Sequence, residues 1–329
     1  MSGKIIPAVP TVCADRFYLS DKAASEIGRM GGFAWADARN AEELGEMIGG
    51  SSSVQVIVSE YVPVNDAVLA RAPALKGVIA YGAGYNHIDV EALKRRGIQV
   101  CNCPGENSQA VAELVFGLLL SLLRKITTAD PWVRTGGWAK AGMTLPGWIS
   151  GQELWGKTLG IVGLGHIGAR VARIAHGFDM KLLGCDPFRS TEYLDKFGIE
   201  QASLTETLSR SDIVTIHVPF IPGTEGMIDA HALSMARPGM ILVNTSRGKV
   251  IDEEALVRAL QAGHIAGAAL DVFDAEPLLP DHPLVGMKNV ILTPHLGALT
   301  REAGDRLSAS VARQVGDILG GRLPEGLIP

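Results

Sequence analysis

Short apolar runs recur along the chain, each closed by a polar or glycine turn and followed by residues whose apolar positions fall three and four apart. Ile5-Ile6 after Lys4, Val54–Val58, Val78-Ile79-Ala80 and Ile98–Cys101 read as strands. Ser20–Arg29, Asp66–Ala70 and Val90–Arg96 have helical spacing, and Asn40-Ala41-Glu42-Glu43 is a capping box that starts another helix. A long helix follows, capped by Asn107 or Ser108 and reaching about Arg124; it is apolar nearly all round, which predicts burial on most sides. Asp130–Gly151, with Trp132, Trp138 and Trp148 among glycines and prolines, reads as an irregular tract that packs on a partner subunit or overhangs a cleft. The alternation then resumes. Thr158–Val162, Met180–Cys185, Ile213–Val218, Met240–Asn244, Ala266–Leu270 and Val290–Leu292 read as strands. Ala169–Ala175, Leu204–Leu208, Glu253–Gln261 and a terminal stretch from Arg301 to Leu319 read as helices. Strands alternating with helices predict an α/β fold with parallel sheets covered on both faces, here as two doubly wound domains. The terminal helix has no sheet of its own and returns most economically to the first.

Composition narrows the classes. The 329 residues are 47% hydrophobic and 20% charged, enough for two cores. A net charge of −5 and the lack of any Lys/Arg run argue against a nucleic-acid partner. The longest apolar run, Leu114–Leu123, is too short to span a bilayer, and the N-terminus lacks a signal core. Cys13, Cys101, Cys103 and Cys185 form no disulfide framework, and Cys101-Asn102-Cys103 has no second ligand pair to make a metal site. The expectation is a cytoplasmic protein without metal and without a membrane or nucleic-acid partner.

Within this pattern one stretch carries chemistry: Gly163-Leu164-Gly165-His166-Ile167-Gly168, between a strand and a helix, with Asp186 closing the next strand. Strand, glycine turn, helix, strand and acid is the layout of a dinucleotide-binding unit. Gly163 permits the tight turn, Gly165 lets the backbone approach a pyrophosphate, and Gly168 lets helix and strand pack closely. The helix N-terminus offers unpaired N–H groups and partial positive charge to the phosphates. Asp186, twenty-three positions after Gly163, is placed to accept hydrogen bonds from the ribose hydroxyls.

Ligands in such sheets sit beyond the C-terminal ends of strands. Three strands end there on Thr245-Ser246-Arg247-Gly248, on Asp271-Val272-Phe273-Asp274-Ala275-Glu276-Pro277, and on Thr293-Pro294-His295-Leu296-Gly297. An arginine grips a carboxylate by a two-point fork, a histidine passes a proton near neutral pH, and a carboxylate on the far ring nitrogen orients that histidine. With a nicotinamide, the set describes hydride transfer at a carbon and proton transfer at its oxygen. Asp271 reads as shaping the nicotinamide site, His217 as more often structural, and His87 as serving the hinge or packing.

These motifs, with Gly82-Ala83-Gly84…Ile88-Asp89 and Asn107-Ser108…Val111-Ala112-Glu113, resemble the D-isomer-specific 2-hydroxyacid dehydrogenases in order along nearly the whole chain. The resemblance implies a Rossmann-type NAD domain (105–293) inserted into a flavodoxin-like substrate domain (1–104 and 294–329). It implies that Arg247 binds the substrate carboxylate and polarises the oxo group, that His295 is the acid/base, and that Glu276 pairs with it. Backbone N–H groups at Ala83 and Gly84 complete the substrate site, with Arg247 and His295. His166, Ile167 and the three motif glycines meet the pyrophosphate, and Asp186 the adenosine ribose. Val111, Val218, Thr245, Ser246, Arg247, Asp271, His295 and Gly297 line the nicotinamide end. It further implies a homodimer formed around the long helix and the tryptophan tract. Formate dehydrogenases share the fold but carry glutamine beside the histidine, so Glu276 points to 2-oxo acids. Co-repressors of transcription also share it, with extra tails; this chain has almost none, and the Arg247, Glu276 and His295 set favours the enzyme.

Asp186 favours NAD over NADP, because a carboxylate there repels a 2′-phosphate; Arg189 weakens that preference without reversing it. Phosphoglycerate members carry a basic residue where Ser59-Glu60-Tyr61 stands here. The tryptophan tract is similar to that of glyoxylate/hydroxypyruvate reductases, which makes acids of that type the expected substrates. Tyr61, Tyr85, Trp138, Lys140, Met143 and Trp148 are the candidates for shaping the pocket. Lys140 or Arg134 leaves open an acid with a second anionic group, 3-phosphoglycerate or sulfolactate.

Overall fold

The computed structural model describes residues 5–328, which divide into two compact units: residues up to Asn107 together with those from Ala298 onward, and Ser108–Gly297. The first unit contains β1 (Thr11–Cys13), α1 (Asp21–Arg29), β2 (Phe33–Trp35), α2 (Ala41–Ile48), β3 (Val56–Ser59), α3 (Asp66–Leu69), β4 (Gly77–Ala80), α4 (Val90–Arg95) and β5 (Gln99–Cys101). Its five strands are all parallel, in the order β2-β1-β3-β4-β5, the flavodoxin-like winding.

The second unit begins with α5 (Ser108–Leu123), α6 (Ile126–Arg134) and α7 (Gly137–Ala141). It continues through β6 (Thr158–Val162), α8 (His166–His176), β7 (Lys181–Cys185), α9 (Thr191–Asp195), β8 (Glu200–Gln201), α10 (Leu204–Arg210) and β9 (Ile213–Ile216). It closes with α11 (Ala230–Met235), β10 (Met240–Asn244), α12 (Glu253–Gln261), β11 (Ile265–Leu270) and β12 (Val290–Leu292). The order β12-β11-β10-β9-β6-β7-β8 is parallel throughout and reverses between β6 and β9, the switch point of a Rossmann-type sheet. The last helix, α13 (Arg301–Leu319), packs on α1, β3 and β4 of the first unit, as expected for a helix without a sheet of its own.

Local chemistry sets the unit boundaries. Glu106 is held by Arg306, whose Nε donates to its carbonyl at 2.7 Å, and by an ion pair with Arg313. Leu296 and Gly297 donate their N–H groups to the buried Asp271 carboxylate, which keeps them with the second unit. The apolar residues of α5 face several neighbours, including α8, β11 and β12, and ten of its sixteen residues are buried.

Four readings of the sequence are corrected. The segment at Ile5-Ile6 is not a strand (Lys4 lies outside the described residues). Pro7 and Pro10 cannot supply ladder donors, Ile6 N–H donates to the Met47 carbonyl, and the first strand is β1. The capping box at α2 is half formed: Glu43 N–H donates to Asn40 Oδ1 at 2.9 Å, but the Glu43 carboxylate turns to the backbone N–H and guanidinium of Arg39. The tryptophan tract is largely helical. Pro131 lies inside α6, and neither α6 nor α7 has a buried residue, so no core-facing stripe marks them. The short β2, β8, α9 and α11 escape a reading based on long periodicity.

Candidate active site

The glycine turn between β6 and α8 has the geometry its three jobs require. Gly163 sits at φ +91°, and a Cβ there meets the backbone of His217 and Val218 within 2.9 Å. A Cβ on Gly168 falls 2.2 Å from the Gly163 carbonyl oxygen, so this contact admits only glycine. At Gly165 a Cβ meets no protein atom within 4 Å, and no side chain caps α8 there. Open space above uncapped N–H groups fits an anionic ligand such as a pyrophosphate. His166 is exposed, whereas Ile167 packs partly on the core. Asp186 follows β7; its Oδ2 accepts the Leu164 N–H at 2.7 Å and its Oδ1 the Phe188 N–H at 2.9 Å. The carboxylate is thereby fixed beside the turn. The Arg189 guanidinium lies over the Tyr193 ring, 4.7 Å from its centroid.

Three neighbouring strands, β10, β11 and β12, deliver the polar groups. After β10 the Asn244 side chain builds a tight turn. Its Oδ1 accepts from Ser246 N–H and Oγ, and its Nδ2 donates to the Arg247 carbonyl at 2.9 Å. Gly248 then passes so close to Phe273 that a Cβ falls 1.9 Å from that residue's backbone, locking the Arg247 turn against the loop after β11. The Arg247 side chain is half-buried, with Nη1 donating to the Ser246 carbonyl.

Asp271, 1% exposed, organises the loop after β12. Its Oδ1 accepts from Thr293 Oγ1 at 2.6 Å and from Leu296 N–H at 2.7 Å, and its Oδ2 accepts from Gly297 N–H at 2.8 Å. The Asp271 carbonyl takes the His295 N–H at 2.9 Å. This framework holds His295 at φ +54°, a left-handed conformation uncommon outside glycine. The His295 ring then lies with Nδ1 2.8 Å from Glu276 Oε2, while Glu276 Oε1 accepts the Phe273 N–H at 3.1 Å. A carboxylate on Nδ1 fixes the proton there and leaves Nε2 to face outward chemistry. Partial burial works to raise the Glu276 pKa; hydrogen bonding to His295, its charge, the Phe273 N–H and the Arg247 charge outweigh it and hold the carboxyl below its usual range.

The structure thus brings Arg247, Glu276 and His295 onto adjacent strand ends. It buries Thr245 and Ser246 beside them, each 7% exposed, and the buried Thr245 hydroxyl has no hydrogen-bond partner among the described residues. Val111, buried on α5, lies against Gly297, and Val218 packs on the core beside Gly163. His217 is neutral: burial pushes its pKa down to about 3, and its Nε2 lies 2.9 Å from Thr215 Oγ1. In the first unit the turn after β4 leaves Ala83 exposed and Gly84 half-buried, with Asn102 Nδ2 donating to the Ala83 carbonyl at 2.8 Å. His87 lies with its Nε2 3.3 Å from the Ser59 carbonyl, in keeping with packing. The sequence did not single out the role of Asn244; an asparagine ending a strand two positions before a serine was its signal. Among the described residues no cluster of His, Cys, Asp or Glu is suited to a metal ion, and no helix is long and apolar enough to cross a membrane.

Comparison with known proteins agrees with this layout. Residues 116–297 match the family model described as D-isomer specific 2-hydroxyacid dehydrogenase, NAD binding domain. The chain is 41% identical to a glyoxylate reductase of Korarchaeum cryptofilum, over 81% of this chain and 80% of that one. It is 38% identical to a D-3-phosphoglycerate dehydrogenase of Mycobacterium tuberculosis over 90% of this chain, and spans only 54% of that longer protein. Among solved structures, an NADPH-dependent glyoxylate/hydroxypyruvate reductase of Sinorhizobium meliloti, in complex with NADP and malonate, superimposes with a TM-score of 0.86. It is 28% identical, over 97% of this chain and 96% of that one.

The Asp271 framework makes a direct prediction. Asp271→Asn replaces one acceptor by an amide N–H₂ that faces a backbone or hydroxyl donor in either orientation. Unfolding by denaturant should show a loss of about 1–3 kcal/mol. An unchanged midpoint and slope would remove Asp271 from this role.

Proposed function

The chain belongs to the D-isomer-specific 2-hydroxyacid dehydrogenase family, and on that basis we propose that it reduces small 2-oxo acids of the glyoxylate or hydroxypyruvate type with NADH, and oxidises the matching D-2-hydroxy acids in reverse. The observation that carries the reading is the His295–Glu276 pair at 2.8 Å beside Arg247. A bound nicotinamide supplies the hydride that reaches C2. The chain's own residues do the rest. Arg247 holds the substrate carboxylate and draws charge toward the oxo oxygen. His295, protonated on both nitrogens, gives the Nε2 proton to that oxygen as it gains charge, and Glu276 stabilises the imidazolium before transfer. In the oxidation direction the neutral ring takes the hydroxyl proton back. Reduction therefore consumes one NADH and one proton per oxo acid.

The fixed Asp186 carboxylate supports NAD as the preferred cofactor. Both oxygens are oriented by backbone N–H groups, so the negative charge stays where a 2′-phosphate would need to sit, and Arg189 is engaged on Tyr193. The relation to a phosphoglycerate dehydrogenase keeps acids with a second anionic group as the other reading. Against it, the loop after β3 carries Glu60 rather than a cation, and Asp15 pins that loop through the N–H groups of Glu60, Tyr61 and Val62. The segment of α6 and α7 supports a homodimer: Trp138, Met143, Leu145 and Trp148 are all exposed, and Trp132 meets Trp148 edge-on.

Oxidation of NADH should be fast with glyoxylate or hydroxypyruvate and at least tenfold slower with NADPH, and slow with phosphohydroxypyruvate or sulfopyruvate. His295→Gln should lower kcat by about two to four orders of magnitude while NADH binding, followed by fluorescence titration, is retained. Wild-type turnover in that variant would withdraw His295 from its assignment. Met143→Glu with Trp148→Glu should convert a dimer to monomers in analytical ultracentrifugation. A dimer unaffected by both changes would place the interface elsewhere.

A further inference from the structure

A second histidine–glutamate pair stands behind the first. Glu253 opens α12, where Asp252 caps the helix, so the Glu253 side chain is free for other work. Its Oε1 lies 3.1 Å from His282 Nε2, and its Oε2 accepts the Asp274 N–H at 3.2 Å. His282 Nδ1 accepts the Leu284 N–H at 3.3 Å, capping the short helical turn at Pro283–Gly286. That bond settles the tautomer: with Nδ1 an acceptor, Nε2 carries the proton and donates to Glu253. The pair is better shielded than the candidate catalytic one, with side chains 26% and 17% exposed against 30% and 36%. One carboxylate thus ties both ends of the 274–282 excursion to α12. Glu276 lies inside that excursion, two residues after Asp274.

From this geometry we infer that Glu253 and His282 are positioning residues that set where Glu276 presents its carboxylate to His295. The inference rests on the acid/base reading of His295. Its physical basis is that a hydrogen bond of 2.8 Å from an imidazole tolerates little displacement of its acceptor. Glu276 is otherwise located by the Phe273 N–H and by the charges of His295 and Arg247. Without the clamp at Asp274 and His282, the loop keeps its attachment at Phe273 but loses its tie to a helix. The effect reaches His295 only through Glu276.

His282→Asn separates this role from simple folding. An asparagine Oδ1 still accepts the Leu284 N–H and remains a good cap, but cannot reach Glu253. The variant should lower kcat by about threefold to tenfold, leaving the Kd for NADH unchanged. In a Glu276→Gln background the same change should have no further effect, because the group through which it acts has lost its charge. In the cofactor-free protein labelled with 15N-histidine, the downfield proton on His295 Nδ1 should broaden or move upfield in His282→Asn. An Nδ1 proton identical to wild type, or effects of the two changes that simply multiply, would overturn the inference. Should Glu276→Gln alone leave turnover intact, the acid/base reading fails, and the Nδ1 proton still decides whether the clamp positions Glu276.

Discussion

The second unit depends on a buried carboxylate. Asp271 directly follows the strand β11, with its side chain almost wholly out of water, a costly place for a charge unless its lone pairs are filled. One hydroxyl and two backbone N–H groups fill them, all from the loop after β12. The cost of burial thus becomes a constraint on the neighbouring strand's exit: the loop must return over β11, and His295 must adopt its left-handed conformation to let it do so. A hydrophobic residue at 271 could fill the volume, but it would leave three donors unsatisfied and the histidine unplaced. The position of His295 is therefore set by a buried acid on the neighbouring strand's exit.

A second constraint is close backbone approach. Gly248 against Phe273, and Gly168 against Gly163, bring main chain to main chain at distances no side chain allows. At Gly165 the same lack of a Cβ faces open space instead. The contrast separates glycines needed for packing from one that leaves the uncapped N-terminus of α8 open. Electrostatics follows from this scaffold. Glu276 remains ionised to lower pH than an ordinary carboxyl, so its support of a charged His295 is present above the usual carboxyl range and is lost as pH falls through the depressed value.

Much of this was legible in the sequence because it depends on local pattern. The strands β6, β10 and β12 and the helices α12 and α13 appear where apolar spacing puts them, and the glycine turn declares its own geometry. The convergence of Arg247, Glu276 and His295 was also readable, since residues that follow strands of a parallel sheet share one edge. What stayed hidden has physical causes. The α6 and α7 helices bury nothing in this chain and carry Pro131, so neither periodicity nor propensity announces them. The Glu43 carboxylate had two donors within reach and took the arginine side. Glu253 and His282 are far apart in sequence, and only the return of the β11 exit loop onto α12 brings them together.

The account turns on the charge of Glu276 sustaining the proton on His295, and the pH dependence of kcat/KM for oxo-acid reduction tests it most directly. Glu276 is held below the usual carboxyl range, so its charge, and the rate with it, should persist until pH falls through that depressed value. In Glu276→Gln the charge is absent at every pH, so that acid-side loss should disappear and kcat/KM should lie below the wild type at neutral pH, while the Kd for NADH stays the same. Superimposable profiles for the wild type and Glu276→Gln would contradict the pairing and, with it, the assignment of His295 as the proton donor.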